Sequence, residues 1–159
     1  MSKRIYFDFT YLIVLAASFG AIIVLGALVA PIVFHTERII TELVINQYNA
    51  GIIMGTIFYK FSYWTYFLAS FVALFEAVQY KMGHRDAIAF AAAFMVVATS
   101  LMFSAVYVPQ ILEMQALGQE ATQSDTFKNI HMGSELDFKI LAFSLVVLFV
   151  RRLMLLRRA

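Results

Sequence analysis

The run Phe9-Thr-Tyr-Leu-Ile-Val-Leu-Ala-Ala-Ser-Phe-Gly-Ala-Ile-Ile-Val-Leu-Gly-Ala-Leu-Val-Ala-Pro-Ile-Val-Phe34 decides the fold class, because it holds no charged residue. A bilayer core about 30 Å thick is crossed by roughly 20 helical residues, and this run is longer than that. It also exceeds the roughly 7–15 apolar residues of a secretory signal and has no small-residue cleavage site, so it reads as a retained span. Three further apolar stretches follow, at residues 61–80, 87–112 and 138–156. The expected architecture is an all-α integral membrane four-helix bundle, a single transmembrane domain over residues 1–159.

Composition supports this reading. The chain is 62% hydrophobic and only 14% charged, with 16 Phe and 8 Tyr; its mean hydropathy is +0.82. Charged residues make up roughly 25% of an ordinary soluble domain. Absence of cysteine excludes disulfides, thiolate catalysis and Cys-ligated metal.

Basic residues set the expected orientation. Lys3 and Arg4, Lys81 and Arg85, and the run Arg151-Arg-Leu-Met-Leu-Leu-Arg-Arg158 fall on one side of a four-span topology. The positive-inside rule then makes both termini cytoplasmic and the location an inner membrane. The first and third loops face outward and are acidic, with Glu37 and Glu42 in one and Glu113, Glu120, Asp125, Glu135 and Asp137 in or beside the other. The basic residues flank spans and form no aromatic-interleaved stripe, which argues against nucleic-acid binding.

The fourth apolar core, residues 140–150, rises only about 16 Å. Either Lys139, Arg151 and Arg152 snorkel outward, or neighbouring helices shelter them. The spacing predicts a long helix from Ser124 or Asp125 to about Arg158. Small residues mark expected close contacts between helices: Ala16, Gly20 and Gly26 in the first, Gly51 and Gly55 at the start of the second, Ala89 and Ala93 in the third. Pro31 and Pro109 end the first and third helices, each before an acidic loop and an amphipathic lead-in, Ile57-Phe-Tyr-Lys-Phe-Ser62 and Ile130-His-Met-Gly-Ser134. A parallel repeat of two helical hairpins is one reading of that pattern.

The chemistry concentrates before the last span. Phe127, His131, Ser134 and Phe138 follow i, i+4, i+7, i+11 spacing and share one helix face. Glu135 lies one turn from both His131 and Lys139. One reading has His131 titrate or bind a cation with Glu135, Glu113 or His35 in support; the other has it fix the end of the helix by hydrogen bonding. Met54, Met114 and Met132 with His35 and His131 are the residues a soft metal such as Cu(I) would use, without a Met-x-x-Met or His-x-His spacing. Glu76 is read as a proton carrier, as hydrated near the interface, or as the partner of a C-terminal arginine. Tyr59, Tyr63, Trp64 and Tyr66 around Lys60 read as an interfacial belt. No P-loop, Rossmann glycine pattern, Ser-His-Asp order or HExxH occurs, so neither a catalytic residue nor a cofactor is assigned.

Gly26-Ala-Leu-Val-Ala-Pro-Ile-Val-Phe34, Ala50-Gly-Ile-Ile-Met-Gly-Thr-Ile-Phe58 and above all Phe127-x-x-x-His131-x-x-Ser134 resemble the transmembrane protein 205-like family, domain of unknown function 4149. Some relatives carry an Asn-x-Arg pair at the end of the third helix. This chain has Ser104-Ala-Val-Tyr-Val-Pro109 instead, so no buried-arginine role is carried over. The resemblance implies about four spans, and the drug-resistance association of its eukaryotic branch implies transport or metal handling. The expected role is a small transporter-like or accessory membrane protein, working in the lipid bilayer as a homo-oligomer or within a larger complex. Its ligand site would be an outer mouth formed by Pro31, Phe34, His35, Pro109, Phe127, His131, Ser134 and Glu135. The alternatives are a metal- or haem-handling protein or enzyme using His131, and a structural subunit.

Overall fold

The structure, a computed structural model, describes residues 3–39 and 45–157, and every regular element among them is helical. Glu42 and Arg158, both counted in the charge pattern above, lie outside the described residues. Helix α1 (Lys3–Ile23) runs through a π-helical turn at Val24–Val29 into α2 (Ala30–Phe34). Helix α4 (Ala87–Met102) runs likewise through a π turn at Phe103–Tyr107 into α5 (Val108–Ala116). The two π turns have one cause. A helical proline lacks an N–H and its ring collides with the carbonyl four residues back. The wider turn spans those carbonyls, Ala27 for Pro31 and Ala105 for Pro109. The backbone bonds show the shift, since Ala30 N–H donates to Leu25 and Val108 N–H to Phe103, each five residues back.

Between these two lies α3 (Gln47–Lys81), 35 residues long. It starts earlier than the apolar stretch at residue 61, because Asn46 caps it: its side chain accepts from Asn49 N–H at 2.8 Å. Gly83, at φ 86°, makes the tight turn to α4. Helix α5 runs past the expected end at residue 112, and Gly118, at φ 105°, breaks the chain before the short α6 (Gln119–Thr122). Ser124 then caps α7 (Asp125–Leu156), accepting from Phe127 N–H at 3.2 Å. The expected start of that helix is where the structure has it.

Among the described residues, three helical stretches are long and apolar enough to cross a membrane: Ile5–Phe34, Gln47–Lys81 and Ala87–Ala116. Helix α7 packs against α1 and α4, and α3 packs against α4. The core holds Tyr11, Leu15, Leu68, Val72, Val96, Leu141, Leu145 and Leu148. Ala89 and Ala93 are buried as their spacing predicts, and Gly26 meets the Phe138 ring. Ala16 and Gly20 do not mark a contact: Ala16 is exposed, and nothing approaches the Gly20 Cβ position within 4 Å. Large apolar side chains such as Ile13, Leu74, Phe94 and Phe143 point outward, a surface that suits lipid rather than water.

The end of the molecule opposite the two prolines is polar inside. Arg152 grips Glu76 with both Nε and Nη2, the Nε–Oε1 distance being 2.9 Å, and Tyr11 donates to the same Oε1 at 2.9 Å. Arg151 grips Asp86 with Nε–Oδ1 2.9 Å and Nη2–Oδ2 2.6 Å. Neither arginine snorkels; of the two arrangements expected, neighbouring helices shelter them. Glu76 has the C-terminal partner that was one of its readings. Asp86 also caps α4, accepting from Ala89 N–H at 2.9 Å. Its Arg151 partner, above all, holds the Asp86 carboxyl down at about 2. A carboxyl depressed in the folded state contributes stability that is present above the ordinary Asp range and lost as pH falls toward 2. In detergent, thermal unfolding scanned from pH 7 downward should therefore show an acid-induced loss that is smaller in Asp86→Asn. Asp86→Ala should cost roughly 1–2 kcal/mol at pH 7 through the cap alone. An unchanged acid profile in Asp86→Asn would rule the pairing out as its source.

Candidate functional site

At the proline end, the first half of α3, helix α5 and the first half of α7 diverge around a cavity of about 360 Å³. That volume falls in the range of about 300–1,000 Å³ typical of small-molecule sites. Its floor is aromatic. The Phe138 ring lies 5.0 Å from Phe103 and 5.6 Å from Phe58, and Phe58 meets Phe103 edge-on at 5.5 Å.

One wall belongs to α7. Phe127, His131, Ser134 and Phe138 all line the cavity, as a shared helix face requires. The rings of Phe127 and His131 stack at 6.0 Å, 4° from parallel. His131 Nε2 lies 3.2 Å from Glu135 Oε1, and Lys139 Nζ lies 3.5 Å from the other Glu135 oxygen. The imidazole is 47% exposed, so this pairing is worth at most about 1 kcal/mol. Ser134 Oγ donates to the His131 carbonyl at 2.7 Å. The hydroxyl is thus held by its own helix, and the imidazole by a carboxylate. That is not the pairing of a Ser–His nucleophile.

The opposite wall rests on Gln115, which sequence reasoning missed. Its Nε2 donates to the Gly51 carbonyl at 2.8 Å, and its own carbonyl accepts from Tyr48 OH at 2.8 Å. The Gly51-x-x-x-Gly55 contact is real, and its partner is this carboxamide with Leu112. A glutamine one turn past the end of an apolar stretch was the available signal. Gln47, Gln119 and Gln123 complete a rim of neutral amides.

The other expected site residues separate. Phe34 lines the cavity; Pro31, His35 and Pro109 do not. Both prolines are exposed, and their effect is on the backbone through the π turns. His35 Nδ1 lies 3.2 Å from Glu37 Oε1, so it supports its own loop and not His131. The Glu37 carboxyl is held below its ordinary range, first by its own backbone N–H and then by His35. Met54 reaches the cavity, whereas Met114 and Met132 do not. Among the described residues no group of three or more His, Asp or Glu could hold a metal ion. Of the residues a soft cation would use, His131 and Met54 line the cavity.

Beside the cavity lies a residue that the sequence reading counted only as loop acidity. Asp137 is 9% exposed, and its Oδ2 is buried without a hydrogen-bond partner. It lies outside the three spanning stretches, and burial pushes its carboxyl up to about 6.

A family model described as "Domain of unknown function (DUF4149)" matches residues 13–120. No curated protein and no solved structure matches the chain. The matched segment carries Phe34, the Gly51–Gly55 pair and Gln115. It ends before Phe127, so the α7 wall lies beyond it.

Proposed function

This chain belongs to the DUF4149 family, and on that premise we propose that it is a small-molecule-binding membrane protein of the transmembrane protein 205-like branch, transporter-like or accessory to a transporter. The reading takes α7 as a fourth span over residues 138–156, giving one four-helix transmembrane domain with both termini cytoplasmic. Support for the fourth span comes from Arg151 and Arg152: the first is bonded to the Asp86 carboxylate that caps α4 and the second to Glu76 on α3, which lowers the cost of carrying them into a bilayer. Lys81, Arg85 and both arginines gather at the end opposite the prolines, in keeping with the positive-inside rule.

One observation carries the functional reading, the cavity with a phenylalanine floor and an amide rim. Such a site suits a largely apolar molecule with a neutral or weakly charged hydrogen-bonding head. The rings take the apolar body, while the glutamines and His131 orient the head. Four helices enclose little aqueous volume, so transport would use a homo-oligomer or a larger complex.

Native mass spectrometry of the protein released from mild detergent tests this. Wild type should carry a co-purified small molecule. Gly51→Leu should lose it, because a Cβ at Gly51 makes only an ordinary 3.5 Å contact with Gln115, leaving the rest of the side chain to fill the cavity. His131→Ala should weaken retention several-fold while leaving stability within about 1 kcal/mol, the limit for an exposed pair. Identical adducts on wild type and Gly51→Leu would sink the ligand site. An unaltered adduct with failed assembly in His131→Ala would favour the structural-subunit reading.

A further inference from the structure

The described chain buries two carboxylates near opposite ends of the helices and treats them differently. Glu76, 5% exposed, is held by Arg152 and Tyr11. Asp137, 9% exposed, has an Oδ2 with no hydrogen-bond partner at all. Burial without a counter-charge disfavours the charged form of a carboxyl, so it holds its proton to higher pH than an exposed one.

Among the described residues, the helices packed against this part of α7 offer Asp137 no cation. The first helix has no ionisable residue from Leu12 to Phe34, and the third has none from Ala87 to Phe103. The π turn that follows contributes Tyr107, whose ring lies against Gly133, one turn before Asp137 on α7. Helix α5 contributes Glu113 and α6, which also packs on α7, contributes Glu120; both are exposed and of like sign. On α7 itself, His131 and Lys139 are both engaged by Glu135 and are turned toward solvent.

The position is also connected. Ser134 and Phe138, one turn before Asp137 and directly after it, line the cavity. The Phe103–Tyr107 π turn flanks this turn of α7, with Tyr107 against Gly133 and the Phe103 ring 5.0 Å from that of Phe138. Such turns recur at functional sites.

We propose that Asp137 is a proton-binding site, with the proline-end cavity as its route to water. The site takes up one proton on the carboxyl whose Oδ2 is otherwise unpaired, and releases it to water entering past Ser134. No ligand is needed for this, so the proposal stands or falls separately from the reading of the cavity as a ligand site.

Infrared titration of the full chain in nanodiscs tests it. Wild type should show a carboxylic-acid carbonyl band that disappears as pH rises through about 6 and is missing in Asp137→Asn. Gly51→Leu, with the cavity filled, should keep the band but slow its hydrogen–deuterium shift several-fold. Asp137→Asn should fold, since an amide matches the neutral acid in size. Failure of that variant to fold would mean that the charged form is required, and would overturn the proposal. So would a wild-type spectrum at pH 5 with no band that Asp137→Asn removes. A deuterium shift as fast in Gly51→Leu as in wild type would overturn the cavity route.

Discussion

Arg152→Met should lower the unfolding free energy by about 3–5 kcal/mol, the cost of breaking a buried ion pair from one side. The variant leaves Glu76, 5% exposed, with a full charge and only the Tyr11 hydroxyl as partner. It also removes a guanidinium that lies 5.5 Å over the Phe75 ring, although the methionine side chain replaces part of that packing. Glu76→Leu alone should cost a similar amount by stranding Arg152. The double variant should recover to near wild type or above, because two apolar side chains need no desolvation of charge. A double-mutant cycle in detergent measures the coupling directly. Additivity within about 0.5 kcal/mol would show that the two side chains do not depend on each other. The consequence reaches beyond stability. Asp86 and Arg151 form the neighbouring pair, so these four charges cancel two by two.

These pairs also show what the sequence could and could not disclose. Helical periodicity put Phe127, His131, Ser134 and Phe138 on one face, and all four line one cavity. The N-cap at Ser124 and the Glu135–Lys139 pair were equally local and equally legible. What escaped was the rotation of each helix about its axis. Ala16 and Gly20 have the right spacing for a packed face, yet they face outward. Gln115 looked like a loop residue and is the contact on Gly51. Asp137 was one more acid near a helix start, and its burial depends on α1, α4 and α5 meeting α7 as they do. Arg152 had a partner on the second helix among its options, but only packing selects Glu76. Local spacing fixes which residues share a face. Which face turns inward is decided by contacts between residues far apart in the chain.

Gly55→Ala brings the same point to a measurement. Alanine is the better helix former by about 1 kcal/mol, so propensity alone predicts a gain. The structure predicts a loss of about 1–3 kcal/mol from overpacking. A Cβ at Gly55 would come within 3.2 Å of both Gln115 Cδ and Leu112 Cδ2 and would press on Gln115 Oε1 as well. The carboxamide cannot simply swing aside, because it donates to Gly51 O at 2.8 Å. Its backbone is tied down too, by the 2.8 Å bond from Tyr48 OH. Either that amide bond breaks, leaving a buried polar group unpaired, or α5 moves away from α3 and widens the cavity. Combining Gly55→Ala with Gln115→Ala should recover most of the loss, since the methyl group then enters the space the amide leaves. Denaturant unfolding of both variants in detergent distinguishes the two forces. Gly55→Ala more stable than wild type would show that helix propensity outweighs the contact, and that the Gln115 clamp does not hold α5 against α3.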